Sequence, residues 1–179
     1  TADPSLALAY YNLGVAYEIL DSAVDARKAY LRATDLDTAM GDAWLNMGNM
    51  QFREGRLTRA LQNYKTGLRG DEENMDLWVA VIATLRELGQ LERAVEEAKS
   101  ALLVNARSLN IYNNLGLIYM EQGKYDLAKF IYQRALLQEG GEHHLGSHGQ
   151  HHEAECEGVE HHHGIHVQRR EAEHGGPQS

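Results

Sequence analysis

The sequence predicts an all-α array of stacked, antiparallel helix pairs, and three observations predict it. An aromatic residue followed three places later by a large apolar residue, and usually then by Gly, returns every 34 residues: Tyr10-Leu13-Gly14, Trp44-Met47-Gly48, Trp78-Val81-Ile82 and Tyr112-Leu115-Gly116. An Ala returns in the same register, at Ala26, Ala60, Ala94 and Ala128. Within each unit the apolar spacing is helical and breaks once near the middle. Self-similarity at such a period marks repeats that cannot bury their apolar faces alone and must stack on one another. Arrays of this kind are more often binding surfaces than enzymes, so the period bears on function as well as fold.

The elements follow in order. The first unit gives helices near 7–20 and 23–35. In the second, Trp44, Leu45, Met47, Met50 and Phe52 lie on a helix that stops near Glu54-Gly55, since Gly supplies the left-handed conformation that ends helices. A partner helix from about Leu57 to Leu68 carries Ala60, Leu61, Tyr64 and Leu68. The third unit gives helices near 75–88 and 91–104, and the fourth near 109–122 and 125–138, with Gly89 and Gly123 at the same mid-unit turn. Asp35, Asp71 and Asn105 open the linkers between units, as residue types suited to helix ends and N-caps. Gly14, Gly48 and Gly116, with the Ala column, place small residues where the paired helices cross. Tyr10, Trp44, Trp78 and Tyr112 then fill the space between units.

Several of these columns resemble the tetratricopeptide repeat family. Tyr-Asn-Leu-Gly at 11–14, Leu-Asn-Met-Gly at 45–48 and Asn-Asn-Leu-Gly at 113–116 are each followed by the Ala and then by Tyr30, Tyr64 or Tyr132. The resemblance divides residues 1–142 into four units, about 7–40, 41–74, 75–108 and 109–142. It implies a right-handed superhelical array. The third unit departs from the pattern, with Ala80-Val81-Ile82 in place of Asn-Leu-Gly, and is expected to be a repeat with altered helix packing.

In that family the first helices of successive units line a groove that receives a peptide or a partner helix. By register, the groove residues here are Tyr11, Asn12 and Val15, then Leu45, Asn46, Asn49, Phe52 and Arg53. Val79 and Arg86 follow in the third unit, and Asn110, Asn113, Asn114 and Leu117 in the fourth. Asn12, Asn46 and Asn114 share one column, interrupted by Ala80. An Asn there offers a donor and an acceptor to an extended backbone, or bonds only within its own fold; both readings stand for this column. Chaperone-binding members of the family clamp a C-terminal carboxylate with Lys and Arg from these helices. The corresponding positions hold Tyr11, Val15, Asn46, Asp76 and Ala80, or, one unit later, Leu45, Asn49, Ala80, Asn110 and Asn114, so the cations of such a clamp are absent. The expected occupant is a protein or peptide with apolar anchors.

Composition changes sharply at Gly140-Gly141. Residues 140–179 hold all ten histidines, two arginines and seven glutamates. The stretch 143–179 is expected to be a disordered or weakly helical tail. His148, His152, Cys156, His162 and His166 are candidate ligands for zinc, nickel or copper, which makes metal binding or metal-dependent assembly the alternative function. The metalloprotease motif that His152-Glu153 would open fails, because Cys156 stands where its second His belongs.

Other classes find little support. Acidic residues outnumber Lys and Arg by 26 to 17, which argues against a nucleic-acid surface. No apolar run reaches the roughly 18 residues a membrane span needs. The expectation is a soluble protein, cytoplasmic or periplasmic. Thr1-Ala2-Asp3-Pro4 has neither a start Met nor a signal pattern, which suggests a processed product or a piece of a longer chain. The first 139 residues offer no His or Cys and therefore no Ser/His or Cys/His pair, and there is no phosphate-cradling Gly-rich loop, since Gly140-Gly141 has no following Lys-Ser or Lys-Thr. The chain is expected to be no enzyme and to need no cofactor. The fourth unit ends on Leu127, Phe130, Ile131, Leu136 and Leu137, so self-association through an uncapped end is a further expectation.

Overall fold

In the computed structural model, which describes residues 4–140, eight helices form four pairs. They are α1 (Pro4–Ile19), α2 (Ala23–Leu36), α3 (Gly41–Arg53), α4 (Leu57–Gly70), α5 (Met75–Glu87), α6 (Leu91–Val104), α7 (Leu109–Glu121) and α8 (Tyr125–Gly140). No strand occurs among the described residues. The pairs are α1–α2, α3–α4, α5–α6 and α7–α8, and α2, α4 and α6 also pack on α3, α5 and α7. The tail from 143, with its candidate ligands His148, His152, Cys156, His162 and His166, lies outside the described residues.

Each first helix ends in the same way. Gly55, Gly89 and Gly123 take φ of 73°, 69° and 71°, in the left-handed region where a Cβ is penalised. Around Gly55, the Arg56 N–H donates to the Gln51 carbonyl at 2.9 Å and the Gly55 N–H to that of Phe52 at 2.9 Å. This pair of bonds is the Schellman motif, which satisfies carbonyls the helix itself cannot. It recurs after α5 and α7. After α1 it recurs without Gly: Asp21 takes φ of 56°, and the Ser22 N–H reaches the Tyr17 carbonyl at 2.8 Å.

The links between units obey a second rule. The residue after each second helix, Asp37, Asp71 or Asn105, returns its backbone N–H to Ala33, Gly67 or Ala101. These side chains therefore follow helices instead of starting them. Asp35, expected in the first linker, lies inside α2, because that helix continues to Leu36 and Asp37 holds the column. Among the described residues, the one side chain that caps a first helix is Asn74, which accepts from the Leu77 N–H at 3.2 Å. The aromatic column also grips the linkers. Trp44 Nε1 donates to the Thr38 carbonyl (3.0 Å), Trp78 Nε1 to Glu72 (2.8 Å), and the Tyr112 hydroxyl to Ala106 (3.1 Å). Each bond spans six residues back along the chain, so the indole or phenol holds its own linker while its ring fills the joint between units.

Gly and Tyr are matched within each regular pair. A Cβ placed on Gly14 would lie 2.5 Å from Tyr30, on Gly48 2.2 Å from Tyr64, and on Gly116 2.4 Å from Tyr132. The glycine is required because the tyrosine of the opposite helix occupies its side-chain space. In the third unit the sizes are reversed: Ile82 stands in the Gly column and Ala98 in the Tyr column, both fully buried. Total volume is conserved across the crossing, which cores tolerate well. This exchange is the altered packing the sequence predicts for that unit. The largest core cluster centres on it, running from Ala60, Leu61 and Tyr64 through Leu77, Val81 and Ile82 to Ile111, Leu115 and Ile118. A smaller cluster of Ala26, Tyr30, Met47 and Met50 joins the first two units.

Candidate functional site

A first helix packed on both its own partner and the preceding pair leaves one face free, and the predicted groove residues lie there. The second and third units bring several of them together. Leu45, Asn49 and Phe52 of α3 and Val79 of α5 line a concavity of about 450 Å³, with Asp76, Ala80, Ala83 and Thr84 of α5 and Tyr64 of α4. Leu45, Phe52, Val79 and Ala80 are partly buried because their inner sides pack on the main core, so their outer sides form a supported apolar floor. Thr84 is fully buried and its hydroxyl donates to the Ala80 carbonyl at 2.6 Å, so that buried hydroxyl is satisfied beneath the floor.

Tyr64 and Thr84 are the wall residues that the groove columns omit. Tyr64 comes from a second helix and reaches the first-helix face by crossing over Gly48. The glycine column was the available signal, since a missing side chain on one helix implies a large one from the other. The Tyr64 hydroxyl donates to Asn49 Oδ1 at 2.8 Å. Burial pushes that hydroxyl up to about 12, against a lowering by the Arg53 guanidinium.

The remaining predicted residues are placed less uniformly. Tyr11 and Val15 are partly buried against the smaller cluster, with the Tyr11 ring 5.9 Å from that of Tyr30, and Asn12 is exposed. Asn46 Nδ2 donates to the Tyr30 hydroxyl at 3.2 Å, and that hydroxyl donates to Glu18 Oε2 at 2.5 Å. Burial first, and the Glu18 carboxylate second, raise the Tyr30 hydroxyl well above the ordinary tyrosine range. Asn114 Nδ2 donates to the Asn110 carbonyl at 2.8 Å, one turn back on its own helix. The Asn column is thus partly committed inside the fold, although each bond uses only one of the amide's donor hydrogens. Asn110, Asn113 and Leu117 are exposed on α7.

Both predicted groove cations are paired across a joint between units. Arg53 meets Glu18, and Arg86 Nε meets Glu121 Oε1 at 3.2 Å. The two pairs have the same spacing of 35 residues with the charges exchanged. Such half-exposed pairs contribute little stability, at most about 1 kcal/mol each, but they set a counter-ion beside each of the two positive charges on the face. Asp76 remains at the edge of the concavity, and Asp42, one unit earlier in its column, accepts from Asn74 Nδ2 at 3.2 Å. Among the described residues no group of three or more His, Cys, Asp and Glu is placed to hold a metal ion, and no helix is long and apolar enough to cross a membrane.

Comparison with known proteins agrees with this architecture. Family models described as the tetratricopeptide repeat match residues 7–39 and 109–138, and residues 25–74. Anaphase-promoting complex subunit 6 of Dictyostelium discoideum is 22% identical over 130 residues, which is 73% of this chain and only 15% of that protein's length. Among solved structures, MamA superposes with a TM-score of 0.67 at 20% identity, covering 78% of this chain and 82% of that one. The first tetratricopeptide repeat domain of Spaghetti (RPAP3), bound to the HSP90 peptide SRMEEVD, gives 0.60 at 18% identity over 68% of this chain and 97% of that one. At these identities the likeness is one of fold.

Proposed function

We infer the role of this chain from one premise: it belongs to the tetratricopeptide repeat family. It acts as a non-catalytic scaffold that holds a segment of another protein on the face made by its first helices. The observation that carries this reading is the concavity between α3 and α5, apolar at its floor and bordered by Asn49 and Asp76. A surface of that kind suits a protein segment better than a reacting small molecule, because its lining is mainly apolar and Asp76 is its one charged side chain. A structural neighbour bound to an HSP90 peptide supports the same use of the fold. That neighbour's peptide, SRMEEVD, is acidic, whereas the two groove cations here are already paired, so a different peptide chemistry is expected. The test is the combined substitution Asn46→Ala, Phe52→Ala and Asn114→Ala. A partner recovered with the full chain should lose most of its affinity for the folded triple variant; unchanged affinity would exclude this face.

A second reading, self-association, is favoured by the two ends of the array. Leu13 is 42% exposed in α1, while its counterparts Met47, Val81 and Leu115 are at most 7% exposed because a preceding helix covers them. At the other end Leu136 is 68% exposed where Thr34, its counterpart in α2, is 2% exposed. One copy's α8 would serve as the preceding helix for another copy's α1, a contact that does not close on itself. Light scattering over a range of concentrations checks this. Mass should rise with concentration and fall back for Leu136→Lys with Leu137→Lys, and a strict monomer refutes it.

A further inference from the structure

The third unit departs from its neighbours in two adjacent groove columns at once. Ala80 stands where the other units have Asn12, Asn46 and Asn114, and Ala83 where they have Val15, Asn49 and Leu117. From the sequence, Ala80 is merely a gap in a column of amides. In the structure both truncations face the same space, the concavity of about 450 Å³ walled by Leu45, Phe52 and Val79. An Asn at 80 or a Leu at 83 would project into it. The hole is therefore a product of this unit's own sequence. Its volume of about 450 Å³, open on the solvent side, is enough to receive one bulky side chain.

The one charged side chain in its lining is acidic. Asp76 lines the edge, and Asp42 precedes it in the same column. The groove's arginines each have their own counter-ion, Glu18 and Glu121. An extended segment repeats its side-chain direction every second residue, about 6.6 Å apart. A side chain entering the hole and another two residues away would therefore both point at this face.

We propose that the hole floored by Ala80 and Ala83 is the anchoring pocket of the groove, and that it selects extended protein segments carrying a bulky apolar side chain with Lys or Arg two residues away, the cation pairing with Asp76. The proposal rests on the groove reading above and adds the chemistry of the occupant. Apolar burial supplies most of the affinity, and the carboxylate supplies direction and selectivity against acidic segments.

The experiment uses the full chain as bait for a display library of random linear 12-residue peptides. Enriched sequences are then synthesised and measured by fluorescence anisotropy. Peptides pairing Leu, Met, Phe or Trp with Lys or Arg two residues away should be enriched. Ala80→Leu, which fills the floor, should weaken them at least about tenfold. The exposed Asp76→Asn, chosen because it leaves the core untouched, should weaken them about threefold and reduce their sensitivity to salt. Unchanged binding by a folded Ala80→Leu chain, enrichment of acidic peptides, or no enrichment at all would overturn the proposal. Asn12→Ala with Asn114→Ala, both outside the pocket, separates the two ideas. Peptides that lose binding there but ignore Ala80→Leu would retain the groove and reject the pocket, while peptides indifferent to both would reject both.

Discussion

At the scale of single residues, the matched Gly and Tyr columns make a prediction with a change of sign. Gly48→Ala places a Cβ 2.2 Å from the Tyr64 ring, and overpacking of this kind costs about 1–3 kcal/mol. The better helix propensity of Ala returns up to about 1 kcal/mol. A net loss of stability is expected in the native background and a net gain in a Tyr64→Ala background, where the obstruction is gone; denaturant melts of the four proteins complete the cycle. Equal effects in both backgrounds would disprove the steric account. Tyr64 also sets an alkaline limit. Its hydroxyl is pushed up to about 12 in the fold, against about 10 in the unfolded chain, so the fold favours the neutral form. The stability this provides is complete below pH 10 and is lost as pH rises from 10 towards 12, on the order of 2 kcal/mol in all. The gap in melting temperature between the native chain and Tyr64→Phe should narrow across that window, and a constant gap would contradict it.

At the scale of elements, the mid-unit turn after α1 is the imperfect copy. Asp21 adopts φ of 56° where the other units use Gly. Asp tolerates the left-handed region better than most residues, so relief by Asp21→Gly is modest, about half a kcal/mol, or a rise of 1–2 °C in melting temperature. Gly55→Ala should act in the opposite direction by about 1 kcal/mol. A fall in melting temperature for Asp21→Gly would show that its side chain does more than occupy the turn. The helices themselves were legible in the sequence to within a few residues, because a fixed interval lets four copies vote on each boundary. What the interval concealed was exchange between columns. Ile82 and Ala98 are each unremarkable substitutions until the helices are seen to cross. Asp35 was misread because one acidic residue close to a helix end looks much like another, and only the length of α2 assigns that place to Asp37. In the groove, Leu45, Phe52 and Val79 were readable by register. The bonds from Asn46 to Tyr30 and from Tyr64 to Asn49 were not, because they depend on second-helix side chains crossing to the other face.

At the scale of the described array, contacts run mainly between neighbouring helices, with weaker ones between first helices of successive units. Stability in such a fold is close to a sum of unit and interface contributions, so opening should begin at the ends. The largest buried cluster is centred on α5 and α6, while α1 carries exposed Leu6, Leu13 and Ile19 and α8 carries exposed Phe130, Leu136 and Leu137. Hydrogen exchange should be slowest in α5 and α6 and fastest in α1 and α8. Uniform protection from α1 to α8 would mean one cooperative block instead.

The exchanged charges of Glu18–Arg53 and Arg86–Glu121 also act as a key to the order of the repeats. Were the first unit followed by the fourth, Glu18 would face Glu121; were the third followed by the second, Arg86 would face Arg53. Each misordered junction sets like charges where the native one has a pair. A gene that joined these units in either of those ways would therefore produce an array of correct length with a repelling joint, and the native sequence of repeats is an order in which both locks turn.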